Sequence, residues 1–275
     1  MLKGLQLIQE ADGNAAIADD WEMVGIEDWA MATVMKAAEG LNPMYVEAKR
    51  WVDWPKWQKA INYELASLKA NKTWSLVKWP AGVNVADCKW VLHIKKNAAG
   101  KIKKYKARLV AWGFMQIHGI DFYKTYVPVA QLTSFQLLLV MANCNKWPVD
   151  IFDFDSAFLN SVLSDDEVVY LEQPKDFIED NPKVYVLWLH KALYRLKQGA
   201  KNWYDALRKV LKELRFCWTE ADHGVFLQEV GEEKVVILAV HVDDCLVAGS
   251  SQVLLDGFKT EINMKYKMTD LGPCK

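Results

Sequence analysis

Two adjacent aspartates, Asp243 and Asp244, interrupt an otherwise apolar β-rich stretch, and this feature constrains the chain most. Val235 to Val240 precedes them and Cys245 to Ala248 follows, which reads as a hairpin with both carboxylates near its turn. Two acids at the mouth of a buried hairpin repel one another and cost stability unless a cation or hydrogen bonds compensate. Acid-rich turns are often merely solvated, so the pair alone decides nothing. A second cluster, Asp150, Asp153 and Asp155, sits on an alternating run that reads as a strand leading into Ala157-Phe158-Leu159. Asp153 follows Ile151 and Phe152, and a carboxylate in such surroundings calls for a ligand. Carboxylates from two strands can hold two Mg²⁺ ions about 3.5–4 Å apart and clamp the oxygens of a phosphoryl transfer. The spacing by itself does not separate a polymerase from a nuclease.

The rest of the chain places these acids. The 275 residues suffice for one large domain or two small ones. The net charge of −1 argues for no partner class, so only local charge matters. Five scattered cysteines without a CxxC pair point away from zinc and from a disulfide framework. The N-terminal segment does not read as a signal peptide, and no apolar run approaches the ~20 residues of a membrane span. The expectation is an intracellular protein that is neither secreted nor in a membrane.

Residues 1–50 read as a weakly ordered leader. Trp54 to Leu68 carries apolar residues at helical spacing, with Pro55 in the first turn and Asn71 at the end. Trp74 to Val77 reads as a strand, and Lys89 to Ile94 with Ile102 to Val110 as a hairpin closed around Asn97-Ala98-Ala99-Gly100. Ser134 to Asn143 reads as a buried helix, Trp188 to Leu214 as mostly helical after Leu196, and Leu254 to Ile262 as a helix. No terminal element is evident after Asp270-Leu271-Gly272. Lys89, Lys95, Lys96, Lys101, Lys103, Lys104, Lys106 and Arg108 occupy one stretch free of acids. Strand alternation would put several on one face, suited to phosphate, although surface lysines are commonly just solvated.

The words around the acids are more specific than the acids. WPVDIFDFDSAFL (Trp147 to Leu159), Tyr170-Leu171-Glu172-Gln173-Pro174, LYRLKQGAKNWY (Leu193 to Tyr204) and Val240-His241-Val242-Asp243-Asp244 occur in order. Upstream stand Asn71-Lys72-Thr73-Trp74, Lys89-Trp90-Val91, Tyr105 to Ala111 and Gly119-Ile120-Asp121-Phe122. From about Trp54 to Gly272 the chain resembles the reverse-transcriptase domain of copia-type (Ty1/copia) LTR retrotransposon polyproteins.

That resemblance implies an α+β right-hand polymerase fold of fingers and palm, an antiparallel palm sheet with flanking helices. Residues 51–145 would be mainly fingers and 146–275 mainly palm, with the thumb and ribonuclease H missing. It implies RNA-directed DNA synthesis with Asp153, Asp243 and Asp244 as catalytic, metal-binding residues and the carbonyl of Phe154 as a further ligand. Mg²⁺ is the implied metal, two ions, with Mn²⁺ as a substitute. Lys106 and Arg108 would hold the triphosphate, Phe158 would block a ribose 2′-OH, and Gln198 would meet the incoming nucleotide. Partners would be an RNA template, a DNA or RNA primer and dNTPs; the oligomeric state is open. The expected place is the cytoplasm, a virus-like particle for an intact element, or the nucleus.

Several positions depart from the family pattern. His241 replaces a tyrosine, Lys201 an arginine, and Ser161 a glycine. Arg195 also stands where the family has glycine, and if that backbone takes positive φ or passes close to another part of the chain an arginine is strained. Two other readings stay open: a catalytically inactive remnant that at most binds nucleic acid, and a metal-dependent nuclease using the same acids.

Overall fold

The pattern of Trp57, Ile61 and Leu68 on one helical stripe builds the first core. A computed structural model describes residues 42–97, 100–164, 166–231 and 234–274. Most of the predicted leader, residues 1–41, lies outside them. The compact unit described here runs from Met44 to Lys275 and so takes in residues 44–50, which the sequence left in the leader. Its first helix, α1 (Tyr45–Ala48), buries Ala48 completely.

Helix α2 (Trp54–Ala70) has Pro55 in its first turn, where the missing N–H costs nothing, and is capped by Asn71. It packs on the hairpin of β3 (Cys88–Lys96) and β4 (Ile102–Ala111), with Trp57 edge-on to Tyr105 at 4.7 Å. Residues 98 and 99 of the predicted connection lie outside the described residues; the pairing itself is observed. β1 (Trp74–Lys78) and β2 (Val85–Ala86) join a four-stranded sheet ordered β1-β7-β6-β2, with β6 (Tyr170–Leu171) and β7 (Tyr185–Leu189). The β2–β6 pair is parallel, so antiparallel pairing is not universal.

The second sheet positions the acids. Its order is β12-β5-β11-β10-β9-β8, antiparallel throughout, built from β5 (Val149–Phe154), β8 (Cys217–Trp218), β9 (Val225–Glu229), β10 (Val235–His241), β11 (Asp244–Gly249) and β12 (Met268–Pro273). Alternation divides each strand between two faces. Phe152, Phe154, Leu238, Val240 and Val247 pack with Trp203, Leu207, Phe258 and Ile262 of helices α4 (Gly199–Glu213) and α5 (Gln252–Lys265). Burying Phe152, Phe154 and Trp203 contributes roughly 1.5–3 kcal/mol each before the entropy of ordering them. On the other face Ala239, Leu246 and Ala248 meet Leu138 and Ala142 of helix α3 (Leu132–Asn145).

Three expectations need correction. Strand β12 exists where no terminal element was expected; it pairs with β5 despite Gly272 at φ 82°, a residue that reads as a turn. β7 takes Trp188 and Leu189 out of the stretch read as leading into helix. Helix α3 forms, but it is not buried all round: Leu132, Leu137 and Val140 are about 60% exposed. Among the described residues no helix is long and apolar enough to cross a membrane.

Candidate active site

The register of the second sheet sets the acid cluster. Asp153 on β5 lies directly across from Asp244 on β11, Asp244 across from His241 on β10, and Asp153 across from Thr269 on β12. By alternation this row shares the face of Ile151 and Leu246. Like charges directly opposed on neighbouring strands destabilise a sheet. Asp243 completes the cluster from the two-residue connection Val242-Asp243, and its carbonyl accepts from the Phe154 amide at 3.0 Å. The end of β5 is thereby tied to the turn.

Asp153 carries the electrostatic burden. Its Oδ1 is buried without a hydrogen-bond partner among the described residues. Burial, then Asp243, then Asp244 push its carboxyl up to about 6. Asp244 is pushed up by loss of solvent and by Asp243, with His241 and Lys95 pulling the other way. Asp155 is engaged elsewhere: Thr269 Oγ1 donates to it at 2.7 Å and Lys267 lies 3.7 Å away.

The hairpin brings cations to these acids. Its register pairs Arg108 with Val91, Lys106 with His93 and Lys104 with Lys95, so all six share one face. Burial, Arg108 and Lys95 push the Lys106 ammonium down to about 8, while Glu64 and Asp153 draw it back up. Lys106 is therefore within electrostatic reach of Asp153. The Arg108 guanidinium carbon sits 4.8 Å from the centre of the Tyr194 ring, and its buried Nε lacks a hydrogen-bond partner among the described residues.

Glu64 is a member of this constellation that the sequence reading missed. Burial raises its carboxyl, opposed by a hydrogen bond from the Leu109 backbone and by the charges of Arg108 and Lys106. The signal was present: positions 57, 61 and 68 are the buried residues of α2, Glu64 lies half-buried on the same stripe, and an acid there calls for a cation.

Phe158 lies in a 3-10 turn (Ala157–Asn160) after β5, packs edge-on against Tyr194 at 5.4 Å, and joins both main cores. It thus reaches Arg108 through Tyr194. Gln198 is placed differently from the expected amide facing a nucleotide. It is fully buried; its Oε1 accepts from Gln116 at 3.0 Å and its Nε2 donates to the Asp121 carbonyl at 2.9 Å. Both ends of its amide are used inside the protein, where they pin the segment around residues 116–121 to the start of α4. Arg195 adopts φ 66°, the left-handed conformation the glycine comparison anticipated. The Gly113 backbone passes so near that a Cβ there would lie 2.0 Å from the Arg195 carbonyl oxygen.

Three carboxylates, one with a buried oxygen that has no hydrogen-bond partner among the described residues, lie within electrostatic reach of the cations of the hairpin. Among the described residues no group of three His, Cys, Asp or Glu side chains closes into a ready-made metal cage. This sparse arrangement suits Mg²⁺, which takes one or two carboxylates and completes its shell with water and substrate phosphates.

Comparisons with known proteins find relatives over most of the chain. The family described as "Reverse transcriptase (RNA-dependent DNA polymerase)" matches residues 71–275. The chain is 36% identical over 217 residues to the retrovirus-related Pol polyprotein from transposon TNT 1-94 of Nicotiana tabacum, covering 79% of this chain and 16% of that protein. It is 36% identical over 216 residues to the corresponding polyprotein from transposon RE1 of Arabidopsis thaliana, covering 78% and 14%. Over 120 residues it is 38% identical to a putative transposon Ty5-1 protein of Saccharomyces cerevisiae, covering 44% of this chain and 38% of that one. The chain thus spans only a small part of the length of the two polyproteins.

Proposed function

The chain belongs to the reverse transcriptase (RNA-dependent DNA polymerase) family of Ty1/copia-type transposons, and on that premise we propose that the acid cluster is the centre of an RNA-directed DNA polymerase fragment. The observation that carries this reading is the direct opposition of Asp153 and Asp244, with Asp243 beside them. Such a pairing is unfavourable in the protein alone and becomes favourable with bound cations. In this reading the six-stranded sheet is the palm, and the β3–β4 hairpin with α2 belongs to the fingers.

Asp153, Asp243 and Asp244 would hold two Mg²⁺ ions. When bound, Mg²⁺ supplies charge stabilisation to the attacking and leaving oxygens of a phosphoryl transfer. The protein's own residues do the rest. Lys106 and Arg108 bind the triphosphate of a dNTP, Arg108 with its guanidinium set against Tyr194. Phe158, fixed on Tyr194, narrows the space beside the sugar and disfavours a 2′-OH. Gln198 acts as a positioning residue, holding residues 116–121 to α4 rather than touching the nucleotide. The primer 3′-OH attacks the α-phosphate, and pyrophosphate leaves.

A second reading, an inactive remnant that only binds nucleic acid, is favoured by one observation: Arg195 at positive φ. Primer extension on a poly(rA)–oligo(dT) template with dTTP and Mg²⁺ separates the readings. Metal-dependent extension supports the polymerase. Binding of the template–primer without extension supports the remnant, and cleavage of the RNA strand without extension supports a nuclease.

A further inference from the structure

The connection between β10 and β11 has two residues, Val242 and Asp243, since His241 pairs with Asp244. Two-residue hairpin loops use turns whose first central residue has φ > 0, a position suited to Gly, Asn or Asp. Here it is filled by Val242 at φ 60°. A β-branched residue in this region is a strained outlier, and such a conformation persists only where the surroundings impose it.

One contact can do so. The indole Nε1 of Trp203 on α4 donates to the Val242 carbonyl at 2.7 Å. Trp203 is itself immobilised: it is 1% exposed and edge-on to both Phe154 and Tyr266, each at 5.1 Å. Phe154 in turn donates its amide to the Asp243 carbonyl. The carbonyls of both turn residues are therefore held from one aromatic cluster beneath the sheet.

We infer that Trp203 is a positioning residue, a clamp that keeps Val242 in its left-handed conformation and so aims Asp243 and Asp244. The inference rests on the polymerase reading only for its kinetic consequence; the clamp itself is a property of the fold. Trp203→Phe keeps the ring packing and deletes the donor. Glycine adopts φ > 0 without steric cost, so Val242→Gly removes the need for a clamp.

The test is hydrogen–deuterium exchange of the turn in the whole chain, with primer extension run in parallel. Trp203→Phe is expected to speed exchange at residues 241–245 about three- to tenfold, the worth of one hydrogen bond. It should lower kcat for extension with the KM for dTTP unchanged. The double variant Trp203→Phe/Val242→Gly should recover both. Unchanged exchange in Trp203→Phe, or a double variant no better than the single one, overturns the clamp. Should Trp203→Phe not fold, the unaltered chain decides. The Trp203 indole N–H must exchange more slowly and resonate further downfield than those of Trp57 and Trp90, whose buried Nε1 atoms have no partner among the described residues. Indistinguishable indole signals overturn it. If the unaltered chain extends no primer, the polymerase reading fails, while exchange still decides the clamp.

Discussion

Asp153 on β5 and Asp244 on β11 are direct partners across neighbouring antiparallel strands, with the buried Oδ1 of Asp153 lacking a hydrogen-bond partner among the described residues. The protein stores an electrostatic penalty there. The Asp153 carboxyl is raised to about 6 from an ordinary 3.8, so between those values the folded state binds more protons than the unfolded one. Stability contributed by the protonated form is present below pH 3.8 and is lost as pH rises through 6. Asp153→Asn is expected to stabilise the metal-free protein at pH 7.5. Discounted for solvent screening, the gain is on the order of 1 kcal/mol, or about 2–4 °C in Tm. Thermal unfolding in EDTA checks this; the difference should vanish toward pH 4.

The same penalty predicts a response to divalent cations. At pH 7.5, Mg²⁺ or Mn²⁺ is expected to raise the Tm of the unaltered chain in a concentration-dependent way, and EDTA to reverse it, because a ligand that binds only the folded state stabilises it. Asp153→Asn and Asp244→Asn should lose most of that response. Equal metal shifts in all three would place the cation elsewhere.

Lys106 gives a pH dependence of opposite origin. Its ammonium is lowered to about 8 by burial, Arg108 and Lys95. The charge that would meet a triphosphate is present below pH 8 and is lost above it. The KM for dTTP should therefore climb as pH passes 8. Lys106→Arg should flatten this limb, since guanidinium stays charged, while Lys106→Ala should raise KM about 10- to 100-fold at pH 7, the worth of a hydrogen bond to a charged group. Steady-state extension kinetics from pH 6.5 to 9.5 measures both.

Arg195 at φ 66° carries a backbone cost that glycine would relieve. Arg195→Gly should stabilise the fold by about 1 kcal/mol, because a side chain in the left-handed region costs roughly that much. Urea unfolding should show a higher midpoint with the same slope.

How much of this was legible in the residues differs by element. Helix α2 and the hairpin β3–β4 were readable because apolar period and the cap or turn residues agree in them, and β10–β11 because two apolar runs flank a pair of acids, although its turn carries Val242 at φ 60°. β12 was not, because Asp270-Leu271-Gly272 reads as a turn and becomes a strand only by adding to β5. The exposed side of α3 was hidden because every turn of that helix is apolar, leaving no period to mark a face. At the site, the three aspartates were named from sequence, but their register was not, since it depends on which strands neighbour which. Gln198 could not be read as internal: its partners, Gln116 and Asp121, stand some 80 residues away in the chain. Arg195 was legible in part: a glycine in the family asks for either positive φ or a close backbone approach, and the structure shows φ 66° here and the Gly113 backbone close by.

The most direct test of the central claim is Mg²⁺-dependent extension of oligo(dT) on poly(rA), comparing the unaltered chain with Asp243→Asn/Asp244→Asn, both shown to be folded. The account predicts extension by the unaltered chain and none detectable from the variant. Equal extension by both proteins, or none from the folded unaltered chain, would contradict it.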